Sequence, residues 1–211
     1  MELAFFVSSI LLFIVFIAIS FINYKKQENE VYLVRNHFPY ELFKKNNDLN
    51  VLVNVIMMLS FLLTGANFIL FAVNFYDVST LLSALMAVAV CLSFIMLFII
   101  PLSKFREHCS LMIMVMTFSA ILNGFLIYKE VRLLKIIDDY LLLLPIIINS
   151  ISGAFALIAI FHPGLFKFNM ERDAEGNMIR PNFFLLAFSE WVLMGAMLLS
   201  QISIVVVRLV S

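Results

Sequence analysis

Six stretches of this chain, near residues 3–23, 51–73, 80–101, 109–128, 141–162 and 182–207, are almost wholly apolar, and each is long enough to cross a membrane. About 20 mostly apolar residues span the roughly 30 Å of a bilayer's hydrocarbon as a helix, the one local structure that satisfies every backbone N–H and C=O within its own segment. Water offers no alternative home for the pattern. The chain has 211 residues, is 64% hydrophobic and only 13% charged, and carries 23 Phe and 12 Met, more apolar surface than a soluble domain of this size can cover. The expected fold is an all-α integral membrane protein, a single six-span bundle over residues 1–211 with short loops and two larger ones, 24–50 and 163–181.

Proline placement agrees with these limits. Pro101 and Pro163 close spans, Pro181 opens one, and Pro145 falls in a first turn, where its missing N–H costs least. The first run lacks a basic leader and a small-residue cleavage site, so it reads as a retained helix. Cys91 and Cys109 fall in the middle of one span and at the start of the next, at different depths, which argues against a disulfide.

Orientation follows from Lys and Arg in the connections. Lys25, Lys26, Arg35, Lys44 and Lys45 lie in the first, Lys104 and Arg106 in the third, and Lys167, Arg172 and Arg180 in the fifth; the second has none. The fourth dissents with Lys129, Arg132 and Lys135, accompanied by Glu130, Asp138 and Asp139. On balance the odd connections are cytoplasmic and both termini extracytoplasmic. In the first of these loops, EVYLVRNHFPYELFKKNN mixes aromatic and basic residues, which suits either a segment lying along the headgroups or a solvated loop. In the other large loop, FKFNMERDAEGNMIRP has a turn centre between short alternating arms and suggests a hairpin.

Within the spans, polar residues recur at helical spacing. Ser60, Thr64, Asn67 and Asn74 share a stripe, Ser119 and Asn123 are four apart, and Glu190, Gln201 and Arg208 follow one face of the sixth span. Counting about 1.5 Å per residue from the edge that carries the odd connections puts Glu190 roughly 12–13 Å deep, level with Ser60, Ser93, Ser119 and Ser152. Thr64, Asn67, Asn123 and Asn149 form a second layer beyond. The plain reading of such layers is that they fix helix packing, each bond contributing about 0.6–2 kcal/mol. Glu190 asks for more, because a carboxylate this deep costs about 2.5–3.5 kcal/mol by insertion scales. With no Lys or Arg inside the central spans, it is expected to sit as the uncharged acid among the serines of its layer. It then serves as a structural hydrogen bond, a proton or cation site, or a group reaching toward a wet vestibule.

Gly65, Gly124, Gly153 and Gly195 supply one mid-span glycine to each of spans two, four, five and six, a placement that suits close helix contact. His37, His108 and His162 lie at the edge bearing the odd connections, without HxxxH or CxxC ligand spacing, so no metal is expected. No phosphate loop, dinucleotide fingerprint, nucleophile elbow or HExxH occurs, so no catalytic residue and no cofactor is assigned. Zero net charge removes the electrostatic footprint of nucleic-acid binding. The expected function is that of a non-enzymatic accessory or interaction subunit of a membrane complex, of assembly, secretion or immunity type, with a protein partner or homo-oligomer besides the lipid bilayer. A small-solute, ion or proton transporter or channel subunit using Glu190 is the first alternative; an intramembrane lipid-processing enzyme is the second. Abundant Phe, Ile, Leu, Asn and Lys suit an AT-rich bacterial genome, hence a bacterial inner membrane.

Overall fold

The computed structural model describes residues 1–28, 32–35, 37–39, 48–75, 77–100, 105–162 and 183–210. The proposed hairpin in 163–181 lies outside the described residues. The described chain is helical without a strand: α1 (Glu2–Glu28), α2 (Asp48–Asn74), α3 (Val78–Ile99), α4 (Phe105–Ile137), α5 (Leu143–Phe161), α6 (Leu185–Ser200) and α7 (Ile202–Val210). Helices α6 and α7 together make the sixth apolar span, Leu185–Val210. With six helices long and apolar enough to cross a bilayer, the chain is a multi-pass membrane protein.

Helices α1 to α5 pack in sequence order, each on the next, and the sixth span touches α1, α3, α4 and α5 and bonds to α2 through Asn67. It is also the most interior span, with 56% of its most apolar stretch buried against 17% for α1. The architecture is therefore an arc of five helices around a sixth. Large side chains fill the space between: Phe16, Phe61, Phe68, Phe94, Met112 and Met116 are fully buried. Phe61 of α2 stacks on Phe94 of α3 with centroids 5.0 Å apart. Both chain ends meet at one face of the bundle, where the Glu2 carboxylate lies 3.7 Å from the Arg208 guanidinium and accepts a hydrogen bond from Asn74.

The fourth helix is the main departure from the apolar pattern. Its apolar run ends near 128, yet α4 continues to Ile137, so Lys129, Glu130, Arg132 and Lys135 are helical residues and not a loop. At 33 residues the helix is about 50 Å long, well beyond the hydrocarbon thickness. Paired polar groups sustain the extra turns. Lys129 donates to Asp77 at 3.0 Å and to Thr80, with its ammonium over the Phe71 ring, 4.6 Å from the centroid. Glu130 accepts from Asn149 of α5 at 2.9 Å.

Asp77 in turn closes the N-terminus of α3, accepting from the Thr80 backbone N–H at 2.9 Å. Its partial burial pushes the carboxyl up, but hydrogen bonds from Ser79, from the side chain and backbone of Thr80 and from Lys129 together hold it well below the usual carboxylate range. One residue in the α4–α5 turn, Asp138, has positive φ (54°), a conformation that Asp tolerates better than most residues.

Candidate functional site

Glu190 sits in the second turn of α6, because that helix begins at Leu185 and not at the start of the apolar run near 182. The later start moves the carboxyl toward the end of the bundle that carries the odd connections, and its partner there is His108 in the first turn of α4. The imidazole Nε2 and carboxylate Oε1 are 2.5 Å apart, with both side chains sealed at 0% and 3% exposure. Glu190 is thus matched with an imidazole, and not with Ser60, Ser93, Ser119 or Ser152. His108 looks like an edge residue in the sequence; the fold places it inside because the first connection comes back over it.

That connection supplies the seal. Tyr32 and Phe38 are buried, and the Phe38 ring meets the His108 imidazole edge-on at 5.3 Å and the Phe184 ring at 4.8 Å. Trp191, next to Glu190, donates from Nε1 to the Tyr32 hydroxyl at 3.2 Å and to the His37 carbonyl at 3.1 Å. The Tyr32 hydroxyl donates to the Phe38 carbonyl at 2.7 Å, and the Phe184 N–H donates to the Arg35 carbonyl at 2.8 Å. Such aromatic pairs contribute about 0.5–1.5 kcal/mol each beyond their buried area, and the indole and phenol supply the polar ends that a chain turning into a bundle needs. The described part of this loop is packed as a cap beside the His108–Glu190 pair, with Tyr32 and Phe38 buried.

Nearer the face with the chain ends, Gln201 is the hub of a second cluster. Its Oε1 accepts from Asn67 at 2.8 Å, while Nε2 donates to Ser9 at 2.9 Å and to Thr64 at 3.1 Å. Ser60 donates across to the Ser9 carbonyl at 2.8 Å, and Thr64 back to the Ser60 carbonyl at 2.9 Å. The α2 stripe therefore faces α1 and the sixth span. Gln201 also interrupts its own helix: Nε2 reaches the Leu198 carbonyl, Ser200 Oγ donates to the Met197 carbonyl, and the Ile204 N–H bonds to Gln201 itself, three residues back. Side chains that compete for ladder carbonyls tighten a helix locally in this way. Neither proline nor paired glycines mark the site, so the break is invisible to a search for those residues.

A third cluster joins α4, α5 and α7, with Asn149 donating to Glu130 and, at 2.8 Å, to Ser203. Between α4 and α5, Asn123 donates to the Ser119 carbonyl and to Ser152 at 3.1 Å. Ser93 is buried on α3. The polar residues thus divide into helix-joining groups that do not coincide with two depth layers: Asn123 joins Ser119 and Ser152, Thr64 and Asn67 join Gln201, and Asn149 joins Glu130. Ser9, His108, Glu130, Gln201 and Ser203 are the members that depth counting omits, although Gln201 shares the face of Glu190 in the sequence. For Ser9 and Ser203 the sequence holds no signal; Glu130 and His108 look peripheral because charge and histidine normally mark a membrane edge.

The glycines divide as well. A Cβ added at Gly153 would come within 3.2 Å of the Asn123 Cβ, and one at Gly65 within 3.8 Å of Cys91 and Val88, so both sit at helix contacts. At Gly124 and Gly195 it would meet nothing within 4 Å, so neither makes a close helix contact within this chain. Cys91 and Cys109 are both free thiols. Among the described residues no group of three His, Cys, Asp or Glu side chains is close enough to hold a metal ion. Comparison with family models, with curated proteins and with solved structures finds no match to this chain.

Proposed function

We propose that this chain is a non-enzymatic subunit of a membrane complex, an accessory or interaction protein of assembly, secretion or immunity type in a bacterial inner membrane. The observation that carries the reading is that many of the deep polar side chains bond one another across helices, with Gln201 using both ends of its amide on three other side chains. A polar interior arranged this way clasps helices together and leaves its contacts with other molecules to the outer surface. The outward stripe of the sixth span supports this: Val192, Gly195 and Ala196 are only half-buried and Leu199 is 44% exposed, a narrow face of small and apolar residues suited to a partner helix. In this reading the odd connections are cytoplasmic and both termini extracytoplasmic, as the balance of basic residues favours. Purification in mild detergent should return a stoichiometric partner or a defined homo-oligomer; a strictly monomeric particle with no partner refutes the proposal.

A second reading, proton-coupled transport or a channel subunit, is favoured by a specific pair of features. A buried His–Glu pair and a span interrupted at mid-depth are both found in carriers, where broken helices frame binding sites. Flux in proteoliposomes that disappears in Glu190→Gln supports it, and absence of flux removes it.

A further inference from the structure

Two adjoining hollows open on the outside of the bundle at the end where the chain termini meet. The larger, about 710 Å³, is an open groove between the start of α3 and one face of α4, with Leu82, Ile121, Gly124 and Phe125 as its floor. The smaller, about 300 Å³, lies between Lys129, Leu133, Ile136 and Val207. They share Asp77, Ser79 and Arg132, so the second continues the first past a polar mouth.

Depth assigns the parts of this hollow to different layers of a bilayer. From Ile121 to Arg132 the α4 face climbs about 16 Å at 1.5 Å per residue. Ile121, Gly124 and Phe125 belong to the apolar run, Tyr128 is 58% exposed at its end in the place that interfacial aromatics favour, and Arg132 stands one turn beyond, in the headgroup layer. Gly124 makes the floor: nothing lies within 4 Å of the position its Cβ would take, so any larger side chain would fill the groove.

Charge at the mouth is uneven. The Asp77 carboxylate is committed to Lys129, Ser79 and Thr80, which leaves it no acceptor for an ammonium headgroup. Arg132 is exposed and, among the described residues, makes no hydrogen bond or ion pair. With Lys129 and Asp77 compensating each other, the hollow carries one uncompensated guanidinium, a group whose planar fork fits phosphate oxygens.

We propose that this hollow is a binding site for an anionic phospholipid, with the phosphate on Arg132, the headgroup in the smaller recess and one acyl chain lying along Gly124. It is independent of the interaction proposed for the sixth span, since none of Val192, Gly195, Ala196 and Leu199 lines it.

The test uses the full chain purified in a mild maltoside detergent and stripped of lipid, with thermal stability followed as lipid is added. Phosphatidylglycerol should raise the melting temperature with an apparent affinity about fivefold tighter than phosphatidylcholine, the factor that about 1 kcal/mol per basic residue at an anionic surface represents. Phosphatidylethanolamine should behave like phosphatidylcholine, and glycerol phosphate without acyl chains should do nothing. Arg132→Gln should bring the phosphatidylglycerol preference to about one, and Gly124→Leu should weaken every phospholipid, both without lowering the melting temperature of the lipid-free chain. Equal stabilisation by all three lipids, an unchanged preference in Arg132→Gln, unaltered binding in Gly124→Leu, or stabilisation by glycerol phosphate alone each overturns the proposal. So does a photocrosslinker at Tyr128 that captures a polypeptide and not lipid in native membranes.

Discussion

Breaking the His108–Glu190 pair one side at a time, and then replacing both sides, separates what the pair contributes from what its remnants cost. Both side chains are essentially inaccessible to solvent, so His108→Ala removes the imidazole from the Glu190 carboxyl inside a sealed site. If the pair is ionic, its charge centres lie about 4 Å apart and interact by about 4 kcal/mol at the effective dielectric constant of 20 that suits protein sites. Removing one partner of such a buried pair destabilises by about 3–5 kcal/mol, against about 1–3 kcal/mol for a neutral hydrogen bond left unmade. For a chain of this size 1 kcal/mol corresponds to about 2–4 °C in melting temperature, so the ionic case predicts a fall of roughly 6–20 °C in His108→Ala. The double variant His108→Leu with Glu190→Met fills the same volume with apolar atoms, and replacing a whole buried pair is often neutral or stabilising by about 1–4 kcal/mol. It should therefore melt within a few degrees of the parent. Circular dichroism in detergent, run on both single variants and the double, reads the comparison. A single variant as stable as the parent, or a double variant that loses the sum of the singles, would refute the description of the pair as a sealed clasp. Partner capture by the stable double variant would also separate the structural pair from any function in proton movement.

Gln201→Leu removes three side-chain bonds between helices, each contributing about 0.6–1.7 kcal/mol, so unfolding in mixed micelles should ease by about 2–5 kcal/mol; a loss under 0.5 kcal/mol contradicts the hub. Gly153→Ala presses on Asn123 and should destabilise by about 1–3 kcal/mol, whereas Gly124→Ala, in open space, should cost nothing; equal effects would refute the contact geometry. The Asp77 carboxyl is held well below its usual value of 3.8, so its stabilisation is complete above that pH and is lost as pH falls from there through the lowered folded-state pKa. Asp77→Asn should flatten the stability profile below about pH 4, and an unchanged slope would show that the carboxyl's hydrogen bonds contribute nothing.

Much of the bundle is written in periodicity. The long apolar runs mark the helices, and the spacing of Ser60, Thr64, Asn67 and Asn74 marks the face of α2 that turns inward, because a 3.6-residue repeat is a property of one helix alone. Partners are a property of two. Which polar side chain meets which depends on where each helix starts and how it is rotated, so starting α6 at 182 and not at Leu185 is enough to set Glu190 level with serines and not beside His108. Charge misleads in a similar way at the end of α4, where Lys129 and Glu130 look like loop residues until Asp77 and Asn149 are found opposite them. The cap over His108 depends on backbone carbonyls of residues 35, 37 and 38, atoms to which sequence composition gives no access.

The helix at the middle of the arc comes sixth along the chain. During biogenesis five hydrophobic segments enter the bilayer before the one that completes their hydrogen bonds, and until it arrives Thr64 and Asn67 lack Gln201, Asn149 lacks Ser203 and His108 lacks Glu190. Such an intermediate is a natural client for an insertase or membrane chaperone, and a nascent chain stalled before Leu185 should remain bound to one.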